Sequence, residues 1–258
     1  MVKAKEIIDI LEEFAPPSIQ EGWDNSGLII GNPEREVSGV LLALDCTPEI
    51  IDEALRLGME MIVTHHPLIF KGIKRIGALS NLDRTIIGAV KSDMVVYSAH
   101  TNMDKVLEGV SGIMAQKLGL RSVEILSRGS DPAFGLGVVG DFSEPMEVGA
   151  LYELIKEGFS LEVLKSSKPV EGLIHRVALC GGSGSSLIGA AMESGAQVYI
   201  CGDIPYHNFF CERDFMVIDI GHYESEVGIL DLFSSILVNR IANLAICIKN
   251  KNNPIYYR

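Results

Sequence analysis

No Cys-x-x-Cys pair occurs anywhere in the 258 residues, and the five cysteines (Cys46, Cys180, Cys201, Cys211, Cys247) are odd in number and widely spread. That excludes a disulfide framework and a cysteine-based zinc site. Three of them sit in apolar runs (VALC, VYIC, LAIC) and read as small buried hydrophobes. Positive charge is also short: 22 Lys and Arg face 34 Asp and Glu, a formal net charge of −12. No basic cluster interleaved with aromatics offsets that balance, so direct binding to nucleic acid is not expected. Long hydrophobic runs are missing too. The N-terminal MVKAKEIIDILEEF meets Asp9, Glu12 and Glu13 too soon for a signal peptide, which predicts a cytoplasmic protein. The greasiest stretch, Val227 to Ile248, is broken by Asp231, Asn239, Arg240 and Asn243 and predicts a buried helix followed by a strand, not a membrane span.

What remains is a chain with 47% hydrophobic residues, enough for a sizeable core. Ile7, Ile8, Leu11 and Phe14 have helical spacing, closed by Pro16 and Pro17. Strand-like and helical patterns then alternate: GVLLALD, TPEIIDEALRLG with Thr47 as cap, Pro48 as first turn and Gly58 as stop, then MEMIVTHH. This order predicts an α/β fold with largely parallel sheets, the apolar strands covered by helices on both faces. Turn formers and charges cluster in RGSDP, residues 128 to 132, and predict that a single domain, 1–258, is made of two lobes that meet near there, approximately 1–128 and 129–258.

The two halves overlay. GVLLALDC matches RVALCGGS, IIDEALRLGMEMIVTHH matches LIGAAMESGAQVYICGD, and MVVYSAHTNMD matches FMVIDIGHYESE. In the last pair His100 and Asp104 fall on His222 and Glu226, so His-x-x-x-carboxylate follows an apolar strand twice. Two similar lobes with a metal site in the cleft between them are therefore expected. The chain has only six histidines, and two of them, His65 and His66, stand side by side at the end of MIVT, with Asp203 and His207 after VYIC. Ligands of parallel sheets collect at such strand ends. Imidazole with carboxylate suits zinc, manganese, iron or cobalt better than calcium. Adjacent side chains of an extended strand point apart, so the histidine pair could serve two neighbouring ions only if the chain bends there, as Pro67 encourages. His175, beside Arg176, reads as structural. GGSGSS, residues 181 to 186, is explained equally by a phosphate cradle or a tight strand-to-helix turn.

THHPLIF, HTNMD, GDIPYH and GHYESE, preceded by WDNSGLIIG, together resemble the motifs of the Nif-three-like family, whose members are commonly called GTP cyclohydrolase I type 2 homologues. The likeness runs in order over nearly the whole chain. It implies two divalent ions per subunit (zinc, iron or manganese) held by His65, His66, Asp104, His222 and Glu226, in subunits that assemble as a toroidal hexamer. It implies that His100 lies near the metals and that Asp203 and His207 line the same cavity. Trp23, Asp24 and Asn25 either wall the cleft or form a structural turn. The function expected is a metal-dependent hydrolase acting on a nucleotide or other phosphorylated small molecule, with His100 or His207 giving acid or base assistance. The alternative is a non-enzymatic metal-binding, chaperone-like or adaptor protein.

Overall fold

Thr47 starts the helix that its surroundings predict: its hydroxyl accepts from the Ile50 amide at 3.4 Å, Pro48 forms the first turn, and Gly58 at φ +67° ends it. The same local logic recurs along the chain. The computed structural model describes residues 1–77, 79–211, 214–249 and 252–258. In chain order its elements are β1 (Val2–Lys3), α1 (Ala4–Phe14), β2 (Gly27–Ile30), β3 (Glu36–Val37), β4 (Gly39–Ala43), α2 (Pro48–Leu57), β5 (Met61–Thr64), α3 (Asn81–Lys91), β6 (Val95–Ser98), α4 (Thr101–Asp104), α5 (Val110–Lys117), β7 (Arg121–Arg128) and β8 (Gly135–Met146). These are followed by α6 (Val148–Phe159), β9 (Lys165–Ser166), β10 (Ile174–Ser183), α7 (Ile188–Glu193), β11 (Val198–Gly202), β12 (Met216–Asp219), α8 (His222–Glu226), α9 (Ile229–Val238) and β13 (Ala245–Lys249). They form two compact units, Met1–Met103 with Ile229–Arg258, and Asp104–Gly228.

The first unit is built on a five-stranded sheet ordered β13-β4-β5-β6-β2. Its first four strands are parallel and β2 runs antiparallel at the edge. Every residue of β4, β5 and β6 is buried, the signature of strands covered on both faces. On one face Ile50, Ile51 and Ala54 of α2 and Ala89 of α3 pack against Leu41, Ala43, Ile62 and Val96. Toward the other, α1 buries Ile7 and Leu11 completely and packs with α9, and the Tyr97 hydroxyl donates to Glu12 at 3.5 Å. Each such aliphatic side chain stabilises the fold by about 1.5–3 kcal/mol.

The second unit holds a six-stranded sheet ordered β7-β8-β10-β11-β12-β9. Only β10, β11 and β12 are parallel; β7, β8 and β9 pair antiparallel with their neighbours. The expectation of largely parallel sheets therefore holds for the first unit and for half of the second. Helices α5 and α6 cover one face through Met114, Leu151, Ile155 and Phe159, and α7 covers part of the other through Ala191.

The expected boundary at 128 is corrected. Arg128 pairs with Gly135 in the ladder joining β7 to β8, so RGSDP is the turn of a hairpin and not a linker. The units part at Met103/Asp104 and again at Gly228/Ile229, because α9 and β13 return to the first unit, where β13 pairs along the length of β4. The helix-then-strand reading of Val227 to Ile248 is what the structure shows, and among the described residues no helix is long and apolar enough to cross a membrane. The overlay of halves also has a structural counterpart: β4-β5-β6 and β10-β11-β12 are both parallel ladders in sequence order, each followed by a short helix.

Cys46, Cys180 and Cys201 are buried, whereas Cys211 and Cys247 are half-buried. Burial, aided by the neighbouring charge of Asp45, pushes the Cys46 thiol up to about 12, and burial likewise pushes Cys201 up to about 12. Reactivity follows the thiolate fraction and access. Labelling of the native protein with a chromogenic disulfide near neutral pH is expected to be faster at Cys211 and Cys247, with Cys46, Cys180 and Cys201 reacting only on unfolding; rapid native labelling of any of those three would contradict this packing.

Candidate metal site

Backbone hydrogen bonding to the neighbouring chain segment continues for two residues past β5 before the chain bends. His65 still donates its amide to Ala43 O at 3.3 Å and His66 donates to Leu44 O at 2.9 Å. Thr64, fully buried, donates its hydroxyl to the carbonyl of His66 at 2.8 Å and shares a 2.9 Å hydrogen bond with Ser98. This side-chain-to-backbone bond spans two residues and folds the strand end back on itself. The two rings, which an extended chain would send apart, thereby lie with centroids 5.1 Å apart.

Each ring has its Nδ1 tied to an oxygen acceptor. His65 Nδ1 lies 2.9 Å from the carbonyl oxygen of Ala99, and His66 Nδ1 lies 2.9 Å from Asp45 Oδ1. His100, arriving from the end of β6, has its Nδ1 2.7 Å from Asp24 Oδ1. Carbonyls and carboxylates only accept, so Nδ1 carries the proton in all three rings and Nε2 is the nitrogen with the in-plane lone pair. One ligand atom each from His65, His66 and His100 lies within 4.8 Å of the others. Imidazoles oriented by an oxygen on the far nitrogen are the usual second layer of a metal site, so this donor set fits a divalent transition ion.

Asp24 is the anchor of His100. Its side chain is fully buried, and burial alone would raise its pKa. Hydrogen bonds from His100 and Thr101 outweigh that and hold the carboxyl well below the usual carboxylate range. The Thr101 and Asn25 amides donate to it at 3.0 and 2.7 Å, and the Ser26 hydroxyl at 3.0 Å.

In the second unit, His222 opens α8 at the end of β12. Its Nδ1 lies 2.8 Å from Asp203 Oδ2 and its Nε2 lies 3.1 Å from Glu226 Oε2, one helical turn on. Two ligands of one tetrahedral ion with bonds of about 2.0–2.1 Å stand about 3.3 Å apart, so this separation suits shared coordination as well as an ion pair. Glu226 is 4% exposed, and a carboxylate that stays ionised at that depth is paired or coordinates a metal. Asp203 adopts φ +51°, a left-handed conformation that costs a non-glycine residue free energy and concentrates at functional positions.

The glycines of GGSGSS serve this arrangement. At Gly182 (φ +59°) a Cβ would strike the Glu226 carboxylate, and at Gly181 it would strike the Val110 side chain. A Cβ at Gly202 would come within 2.9 Å of the His222 backbone. Tight approach of the end of β10 to α8 thus explains the motif, and the Gly182 amide donates to Ser225 Oγ at 2.9 Å in the same contact. Asp104 ends α4, and its charge acts on the buried Cys180 thiol. That thiol is pushed up first by burial, then by Asp104, with Glu226 adding to it.

His207 is placed differently. It is exposed on the turn Tyr206–Phe209, its ring edge-on to Tyr206 at 5.3 Å, and among the described residues it is not part of a gathered metal-ligand group. His175 is also at the surface, 4.0 Å from Asp141. The residue that sequence reasoning missed is Asp45. Its signal was its place in GVLLALD, just past the end of the strand that pairs with the histidine strand.

A family model described as Duf34/NIF3 (NGG1p interacting factor 3) matches residues 2–254. The chain belongs to the DUF34/NIF3 family. A "GTP cyclohydrolase 1 type 2 homolog" of Clostridium perfringens is 37% identical over 232 residues, covering 89% of this chain and 88% of that protein. The crystal structure of a Staphylococcus aureus hypothetical protein superposes with a TM-score of 0.90 at 27% identity, covering 99% of each chain. A structure titled "Reduced HcgD from Methanocaldococcus jannaschii" does so with a TM-score of 0.82 at 30% identity, covering 96% of this chain and 97% of that one. The α/β fold of this DUF34/NIF3 chain is thus that of its solved relatives.

The depressed Asp24 pKa gives this member of the family a pH-dependent stability. A lowered folded-state pKa contributes stability above the ordinary carboxylate pKa of about 3.9, and that stability is lost as pH falls toward the folded value. Asp24→Asn is expected to cost about 2 kcal/mol at pH 7, with the gap to the parent narrowing below about pH 4. Denaturant melts across that range measure it, and a gap independent of pH would contradict the charge-assisted anchor.

Proposed function

We propose that the protein is a metal-dependent hydrolase acting on a nucleotide or other phosphorylated small molecule, with His65, His66, Asp104, His222 and Glu226 holding two divalent ions. The observation that carries this reading is the repeated fixing of imidazole Nδ1 by an oxygen acceptor, at His65, His66, His100 and His222. The acceptors at His65, His66 and His100 place the proton on Nδ1 and leave the Nε2 lone pair for coordination at the first two and for proton transfer at the third. The names of the relatives point to the same substrate class.

Bound divalent ions would supply Lewis acidity, lowering the pKa of water and offsetting phosphate charge. The protein's own groups do the rest. Asp45, Asp24, Asp203 and the Ala99 carbonyl hold the rings in register, so that no reorganisation is needed when substrate arrives. His100, backed by the ionised Asp24, is suited to hold or release a proton at Nε2. His207, on its exposed turn, is the second candidate for that task. Assembly as a homohexamer belongs to the same reading.

Elemental analysis combined with turnover assays on a nucleotide panel tests the proposal. The expected result is about two divalent ions per chain, fewer in His66→Ala and Glu226→Gln, with turnover lost in both. Asp45→Asn and Asp203→Asn should weaken metal binding by about 10- to 100-fold. His100→Gln should keep the metal and lose at least about 100-fold in rate. Metal that exchanges freely without turnover on any substrate would replace the hydrolase with a carrier, and absence of bound metal after gentle purification would overturn the reading entirely.

A further inference from the structure

The single tryptophan of the chain is not in its core. Trp23 is 59% exposed, and Phe70, from the loop that follows the histidine pair, is 44% exposed. Their ring centroids are 5.6 Å apart at an interplanar angle of 52°, and both rings also meet His100 nearly edge-on, at 6.1 and 6.0 Å. Two large aromatic side chains held outward beside a cluster of oriented imidazoles cost free energy in water. Because the pair is tilted and not stacked, neither ring uses up the other's face.

The exposure is enforced by the framework beneath. Asp24, buried and bonded to His100, Thr101 and Asn25, fixes the loop so that Trp23 must project from it. Asn25 then donates from Nδ2 to the carbonyl of Ile69 at 2.6 Å, pinning the neighbour of Phe70 to the same loop. One carboxylate therefore sets both the orientation of His100 and the position of the aromatic pair. Beyond Phe70 the chain carries Lys71, Lys74 and Arg75, all exposed, in a protein whose net charge is −12.

We propose that Trp23 and Phe70 form the seat for the planar heteroaromatic ring of the substrate, with His100 at its edge and the basic segment Lys71–Arg75 available to its anionic group. This rests on the hydrolase reading and narrows it, since a ring-less phosphate ester would not use the aromatic pair. Stacking on aromatic side chains tolerates different bases because every base has a π-face, so the seat selects for a planar ring and leaves the choice among rings to its polar edge.

Because there is one tryptophan, its fluorescence reports on the seat alone. The intact protein is titrated with guanosine monophosphate, and with ribose 5-phosphate as a ring-less control, while Trp23 emission is followed. The expected result is saturable quenching by the nucleotide and none by the control, with the dissociation constant raised about tenfold or more in Phe70→Ala, in line with the loss of one aromatic stacking partner. Equilibrium dialysis of Trp23→Ala should show a similar loss while its bound metal matches the parent. Equal response to ribose 5-phosphate would overturn the proposal, as would no saturable response to guanosine, adenosine or cytidine monophosphate. So would a blue-shifted Trp23 emission resistant to acrylamide in the ligand-free protein, which would mean that another surface covers the ring. Ring binding by protein that holds no metal would keep the seat and refute the hydrolase; metal-dependent turnover without quenching would do the reverse.

Discussion

A hydrogen bond to Nδ1 decides what an imidazole can do, and in this protein that bond recurs at the end of strand after strand. Ala99 offers a backbone carbonyl to His65, Asp45 a carboxylate to His66, Asp24 to His100, and Asp203 to His222. Each acceptor removes one tautomer and one ring flip from the histidine it faces. Without them the rings would be polar groups at a sheet edge; with them they are donors of one kind, aimed by the fold. The parallel ladders are what make this arrangement available, because their strand ends are set side by side by register: Ala43 beside Thr64, Thr64 beside Ser98, and Cys201 beside Asp219.

The two units reach this result by related routes. Each carries three parallel strands in sequence order followed by a short helix, and each places a histidine where the last of those strands gives way to the helix. Their local solutions differ. In the first unit a threonine hydroxyl bends the chain so that neighbouring histidines share a side. In the second, glycine at 182 and 202 lets backbone approach α8 closely, and Asp203 accepts an unfavourable backbone angle to reach His222. Strain and missing side chains are concentrated where the end of β10, β11 and α8 come together.

Much of this was legible beforehand because it is written in local patterns. Period and caps give α1 and α2, and apolar runs give β4, β5 and β6. The spacing in GHYESE gives His222 and Glu226 on one helical turn, and the repeat exposes the common order of the ladders. Three features were not legible. Turn formers in RGSDP look alike in a linker and in a hairpin, and only the pairing of Arg128 with Gly135 separates the two. The return of β13 to β4 joins residues some 200 positions apart, which no local pattern encodes. Asp45 is one acid among many until its 2.9 Å bond to His66 singles it out.

The central claim is that the protein, before any ligand binds, fixes His65, His66 and His100 with the proton on Nδ1 and the in-plane lone pair on Nε2. Long-range proton–nitrogen correlation spectra of metal-stripped protein labelled with nitrogen-15 histidine test it directly, at about pH 8, above the ordinary imidazole pKa of about 6.5. The account predicts the Nδ1–H form at His65, His66 and His100. Nε2–H tautomers, or rapid averaging between the two forms at His65 and His66, would contradict it.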